Sequence, residues 1–114
     1  MTGTLPLEGI KVLDLTQIYN GPYATFMMAM AGAEVIKVEP PGGDGFRRMT
    51  DTPGFPTADT DYAWQLDNRS KRGIIMDQGQ AADRERMRAL VASADVFVTN
   101  HPLPVRRKFG LTWD

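Results

Sequence analysis

An open α/β fold built on a parallel sheet is what this sequence predicts, on three observations. Short runs of aliphatic and β-branched residues recur along the chain: IKVLDL, EVIKVE, GIIM and DVFVT. Segments with helical patterning separate them, at steps of about 25 residues, the spacing of strand–helix–strand crossovers. Proline, glycine or a polar turn marks most of the junctions, as element ends require.

Met1 to Glu8 reads as an entry arm interrupted by Pro6. Ile10 to Leu15 reads as a buried first strand. Thr16 to Asn20 is the turn at its carboxyl end, with Asn20 or Gly21 suited to cap a helix and Pro22 suited to its first position. Tyr23 to Ala31 is then a helix, apolar on almost every face and so expected to be buried on most sides; Gly32 ends it. The second strand, Glu34 to Glu39, offers Val35, Ile36 and Val38 to the core, and Pro40 and Pro41 stop it. Residues 40–60 hold four of the eight prolines and four of the 11 glycines, a density that predicts a long irregular loop. Loops of that length inside a compact domain are usually functional or mobile.

Asp61 to Leu66 admits a short helix, and Asn68 to Arg72 is a basic turn. Gly73 to Met76 is the third strand, ending at Asp77. Gln80 to Ser93 is an amphipathic helix with Met87, Leu90 and Val91 on its apolar side. Asp95 to Thr99 is the fourth strand, and Val105 to Lys108 forms a last helical turn. Four parallel strands leave an edge exposed, and a terminal Phe, Leu and Trp have nothing after them to bury them. The domain is therefore expected to be incomplete, covered by a partner or a downstream segment.

Composition narrows the function classes. Hydrophobic residues make up 42% and charged residues 24%, an ordinary globular balance. A net charge of −1 gives no bulk attraction for nucleic acid or an anionic membrane. With no cysteine and a single histidine, His101, thiolate catalysis and Cys- or His-rich metal sites are excluded. The start of the chain lacks a secretory pattern, and its longest apolar stretch falls well short of the ~20 residues that span a bilayer. The expected compartment is the cytoplasm.

In an open parallel sheet, ligands bind beyond the carboxyl ends of the strands. Those ends are Thr16–Asn20, Glu39–Asp44, Asp77–Gln80 and Thr99–Pro102. A dinucleotide site is disfavoured there: TQIYNGPYATF has one glycine where G-x-G-x-x-G is needed, although Glu39 stands where a ribose-binding acid is found. His101 has no Cys partner and no G-x-S-x-G is present; Asp14 and Asp77 are lone carboxylates, more often caps or turn residues than catalysts. An anion site is the third option, since Arg47, Arg48, Arg69, Lys71, Arg72, Arg106, Arg107 and Lys108 all fall in loops or at element ends. Scattered solvated charge is the plain alternative.

The segments LEGIKVLDLTQIYNGPYATFMMAMAGAEVIKVEPPGGDGFR, NRSKRGIIMD, LVASADVFVTNHP and FGLTW resemble the opening of the family III coenzyme A transferases, the CaiB/BaiF type. That group includes formyl-CoA transferase, carnitine-related CoA transferases and α-methylacyl-CoA racemase. The resemblance runs from about Leu7 to the last residue and rests on G-P-x-x-T, G-A-x-V-I-K-V-E-P and K-R-x-I-x-x-D. It implies a Rossmann-like domain, residues 1–114 being its amino-terminal portion, in a longer chain that forms an interlaced homodimer. It implies acyl-CoA and carboxylic acids as substrates, with no tightly bound cofactor. In the transferases an aspartate attacks the thioester to form a mixed anhydride; in the racemases an acid–base pair moves the α-proton. The family's aspartate lies downstream of this chain, so the resemblance gives no catalytic residue here and implies that the chain alone is inactive. A racemase fragment and a non-catalytic CoA-binding or interaction module are the alternatives.

The resemblance assigns CoA contacts position by position. Gln17, Tyr19 and Asn20 match the turn lining the thioester end; Met76, Asp77 and Gly79 match a loop near the adenosine. Asn100, His101 and Pro102 match the loop after the fourth strand, and Lys108 matches a basic residue near the phosphates. Lys71 and Arg72 are further candidate phosphate contacts. Pro40 replaces an arginine that some members use, N-H-P-L-P replaces N-x-x-P-G, and lysine at 108 keeps charge without bidentate geometry.

Overall fold

The computed structural model describes residues 3–113. Its four strands are β1 (Lys11–Leu15), β2 (Glu34–Glu39), β3 (Arg72–Ile75) and β4 (Val96–Thr99). They form one parallel sheet in the order β3-β2-β1-β4. The helices are α1 (Asn20–Met30), α2 (Tyr62–Asn68), α3 (Ala81–Ser93) and α4 (Leu103–Phe109). This is the α/β architecture expected, with boundaries shifted by a few residues. The four-residue turn expected near the end is the seven-residue α4, closed by Gly110 in the left-handed conformation.

The two faces of the sheet carry separate cores. Leu13, Leu15, Val38, Met76, Met87 and Leu111 are buried together beneath α3 and the chain end. Val12, Ala33 and Val35 form the other cluster, against Met28 and Ala29 of α1. The alternation of Val12 and Leu13 between clusters is the period-two pattern of a central strand covered on both sides.

Three expectations need correction. First, α1 is not buried on most sides. Tyr23, Met27 and Met30 are exposed, while Gly21, Pro22, Thr25 and Phe26 face inward. The segment is uniformly apolar, so periodicity could not distinguish its two sides. The helix also starts at Asn20, which leaves Asn20 inside it rather than capping it. Gly21 is fixed by close approach, since a Cβ there would collide with the Thr16 side chain. Second, residues 40–60 are not wholly irregular. Gly45–Asp51 is a 3₁₀ segment started by Asp44, whose side chain accepts from Phe46 N–H at 2.8 Å, and Phe46 is buried. Third, Lys37 joins the core. It lies at 1% exposure between Ile36 and Val38, paired in register with Asp14 on β1.

Asp14 is the centre of a buried polar network. Its Oδ1 accepts from Thr16 N–H and Oγ1, and its Oδ2 from Thr25 Oγ1 and from Lys71 Nζ at 3.0 Å. Lys71 Nζ also donates to Pro22 O and Asn68 Oδ1, both at 2.9 Å. Lys37 Nζ stands 3.7 Å from Asp14 Oδ1 and 3.6 Å from Asp44 Oδ2, and donates to Thr16 O at 2.6 Å. One carboxylate thus ties β1, β2 and both helices on that side together.

Breaking a buried ion pair by removing one partner strands the other charge. Lys71→Met is therefore expected to cost about 3 kcal/mol or more, read as a lower urea midpoint with an unchanged slope. An unaltered midpoint would mean that the network does not hold α2 to the sheet.

Candidate functional site

The carboxyl ends of β1, β2 and β4 enclose a cleft of about 170 Å³. Its floor is apolar, made by Leu15, Val38, Met76 and Phe109, and Gln17, Glu39, Asp44 and His101 supply its polar lining. No lysine or arginine lines it. The two acids are paired with cations that do not line the cleft. Arg47 Nε and Nη2 grip Glu39 at 2.7 and 2.9 Å, while Lys37 faces Asp44. The Arg47 guanidinium also lies 3.9 Å from the Trp64 ring centroid. Arg47 therefore straps the loop after β2 to both the strand end and α2.

Two loops are joined by a reciprocal clamp. Gln17 N–H donates to Asn100 Oδ1 at 2.9 Å, and Asn100 Nδ2 donates to Gln17 O at 2.7 Å. Asn100 thus satisfies both main-chain groups of Gln17, a residue that lines the cleft. His101 follows directly. Burial and the nearby Lys37 charge push its pKa below the usual 6.5, against the opposing pull of Asp44. Its imidazole is accordingly neutral at pH 7, a hydrogen-bonding group without charge.

Of the residues expected at the site, Gln17, Met76 and His101 meet in the cleft. Asn100 acts through Gln17. Tyr19 stands outside with its ring edge-on to Phe46, 5.4 Å between centroids, and Asn20 is exposed at the start of α1. Asp77 and Gly79 serve their own turn: Asp77 Oδ1 accepts from Gly79 N–H at 2.9 Å, and Asp77 N–H donates to Asp83. Pro102 precedes α4, and Lys108 lies exposed on its last turn beside the cleft residue Phe109.

Two phosphate candidates are corrected. Lys71 has its ammonium fully engaged, at 1% side-chain exposure, by Asp14, Pro22 and Asn68. Arg72 begins β3 and pairs with Glu34, the first residue of β2, at 2.8 Å, so it sits at the opposite end of the sheet from the cleft. Other members of the basic set are also engaged: Arg48 with Gly42 O, Arg69 with Leu66 O and the Phe26 ring, Arg106 with His101 O. Among the described residues, no side-chain partner is found for Arg107 or Lys108, on α4. The residues that sequence reasoning missed are Lys37, Arg47 as a strap, and Asp44; the register of Asp14 against Lys37 is the signal that finds the first.

A second, larger groove of about 570 Å³ runs along the free edge of β4, lined by Val91, Phe97, Leu111 and Trp113 among others. Neither Gln17 nor Asn100 lines it.

Residues 7–114 match the family model described as CoA-transferase family III. The chain is 42% identical over 112 residues to a succinyl-CoA:mesaconate CoA-transferase of Haloarcula hispanica, covering 95% of this chain and 28% of that protein. It is 39% identical to a formyl-CoA:oxalate CoA-transferase of Rhodopseudomonas palustris, covering 97% of this chain and 26% of that one. A crystal structure of a CaiB/BaiF family protein from Brucella suis superimposes with a TM-score of 0.85 at 37% identity, over 97% of this chain and 30% of that one. The chain therefore spans little more than a quarter of the curated relatives it matches.

The cleft's electrostatics set a pH signature. Burial pushes the Glu39 carboxyl up, but hydrogen bonds from Arg47 and from Asp44 N–H, with the charges of Arg47 and Lys37, hold it below its usual 4.5. A depressed acid contributes stability that is present above its unfolded value and lost as pH falls through the folded one. Stability is thus expected to drop below pH 4.5, and Glu39→Gln is expected to lower stability at pH 7 while flattening that acid limb. Urea titrations at a series of pH values check this; parallel acid limbs in the two proteins would remove Glu39 as the cause.

Proposed function

The chain belongs to CoA-transferase family III, and we propose that it is the amino-terminal part of an acyl-CoA transferase, one that moves CoA between carboxylic acids. It supplies CoA-binding loops, while the nucleophilic aspartate that the family resemblance implies comes from sequence beyond the region matched here. The observation that carries this reading is the division of charge around the cleft. A CoA thioester is uncharged along its pantetheine arm and strongly anionic at its nucleotide end. The cleft has an apolar floor, neutral Gln17 and His101, and no lining cation, which suits the arm. The basic end of α4, Arg107 and Lys108, stands beside Phe109 for the phosphates.

The transferase names of the relatives above favour acyl transfer over racemisation. One observation favours the racemase-like alternative: an uncharged imidazole in the cleft is the form of histidine able to take an α-proton. Solvent deuterium entering the α-carbon of an acyl-CoA without an acceptor acid would select it. Exposed Ile74 and Ile75 on β3, and exposed Tyr23 and Met27 on α1, support assembly with a second copy. Among the described residues, no helix is long and apolar enough to cross a membrane, in keeping with the proposed cytoplasmic location.

Isothermal titration of the 114-residue chain with CoA tests the reading. One site per chain is expected, with affinity falling as salt rises, because exposed charge pairs are screened within about 10 Å at 0.1 M ionic strength. Lys108→Ala is expected to weaken binding several-fold and to reduce the salt dependence. A folded chain that does not bind CoA would overturn the proposal. The intact mass of the native polypeptide decides the fragment question: a value near 12.6 kDa sets aside the fragment reading in favour of the binding module, and a value several times larger supports it.

A further inference from the structure

Three consecutive basic residues on α4 do not share a fate. Arg107 and Lys108 are exposed, while Arg106 is half-buried and reaches back along the chain. Its Nε donates to His101 O at 3.2 Å. That carbonyl lies just before the helix, where Pro102 is the N-cap and the first helical N–H groups bond to Pro102 O instead. Among the described residues no other donor reaches His101 O. The His101 N–H is held as well, by Thr99 Oγ1 at 3.2 Å.

Both main-chain groups of a cleft residue are thus bonded by side chains that do not line the cleft. Thr99 and Arg106 line the larger groove beside β4, whereas His101 lines the cleft. Arg106 therefore acts on a ligand in the cleft only through His101. Ordering a long arginine side chain costs rotamer entropy, and one hydrogen bond to a neutral carbonyl returns little net stability. The arrangement is better explained by what it fixes. Pro102 already disfavours a helical backbone at His101, and Arg106 then holds the direction of the His101 carbonyl. Three residues on from Arg106, Phe109 forms part of the cleft floor. At that spacing the two share a face of α4, so one helix face supplies both an apolar wall and the grip on His101.

We propose that Arg106 is a positioning residue, whose side chain seats His101 in the cleft from α4 and so sets the imidazole relative to the basic end of the same helix. This rests on the reading of the cleft given above, in which His101 meets the uncharged arm of CoA and Lys108 its phosphates. Arg106 is the link that holds those two contacts in one frame.

His101 is the only histidine of the chain, so NMR reads its imidazole titration directly. Burial first, and then the Lys37 charge, hold its pKa below 6.5 against the pull of Asp44. Neither of those residues is altered in the test, nor is Glu39, which shares the cleft. Arg106→Met keeps a long side chain without the donor. It is expected to let His101 move toward solvent, raising the imidazole midpoint toward 6.5 and weakening CoA binding about threefold. Arg106→Gln also loses the charge but keeps a donor, because its Nε2 stands as many bonds from the backbone as the arginine Nε. It is expected to restore both the midpoint and the affinity, whereas a bare charge effect would move the two variants alike. The inference is overturned by an unmoved midpoint in the Met variant, by Met and Gln variants that behave alike, or by a shifted midpoint with unchanged CoA affinity. If the unmodified chain is folded yet binds no CoA, the reading of the cleft fails, and the imidazole midpoints still decide whether Arg106 seats His101.

Discussion

The fold and its candidate site both depend on the burial of Asp14. A carboxylate with no solvent exposure on a central strand is tolerable only if its charge is matched and its lone pairs are filled. Lys71 and Lys37 provide the first, and Thr16 and Thr25 help provide the second. The arrangement has a structural consequence beyond charge balance. Each partner comes from a different place: the turn after β1, the first half of α1, the middle of β2 and the residues before β3. Satisfying Asp14 therefore fixes where those segments sit. Apolar packing alone would tolerate small slides between α1 and the sheet, whereas hydrogen bonds to one buried atom set would not. Desolvation pulls the Lys71 pKa down while Asp14 pulls it up, and the net direction is downward. The network is thus held by geometry at an electrostatic cost.

Much of this architecture was legible in the sequence. Four aliphatic runs with helical spacing between them gave a parallel sheet, as observed, and the loops after the strands as the expected ligand end; Gln17, Met76 and His101 line one cleft there. What was not legible is instructive. In EVIKVE the lysine looks like the solvated member of a strand, because a strand buried on both faces and one buried on a single face differ only in what packs against them. Nothing within those six residues says that Asp14 stands opposite. Lys71 and Arg72 are adjacent basic residues in the same turn, yet one is sealed in the interior and the other pairs at the far end of the sheet. Consecutive side chains diverge where a turn becomes a strand, and sequence proximity to a motif does not reveal which way each points. The apolar α1 misled for the converse reason: with few polar residues to mark an outer face, its exposed Tyr23, Met27 and Met30 were indistinguishable from its buried Phe26.

The same neutralising logic extends from the core to the cleft. Glu39 and Asp44 would repel an anionic ligand if left bare, but each is paired with a cation, Arg47 or Lys37, that does not itself line the cleft. The cations are spent on structure, so the cleft presents dipoles, an uncharged imidazole and apolar floor. Charge available to a phosphate lies outside, on α4. On the proposed reading, a ligand with one neutral and one anionic end would be sorted by that arrangement. Its orientation follows from where charge is absent as much as from where it is present, because placing a phosphate among paired acids costs more than placing an amide there.

Orientation alone leaves the position along the cleft undetermined, and here the clamp matters. Asn100 ties the β4 loop to Gln17, and Lys37 ties Gln17's predecessor to the buried network. The turn is therefore continuous with the most rigid part of the molecule. A turn free to relax would move Ile18 out of the left-handed region at little cost to packing, since its side chain is largely exposed. It does not relax, because every main-chain polar group on the two residues before it is already bonded. Rigidity set deep in the sheet at Asp14 is thus carried outward, through main-chain hydrogen bonds, to Ile18, a β-branched residue held at a positive φ that its backbone would not choose for itself.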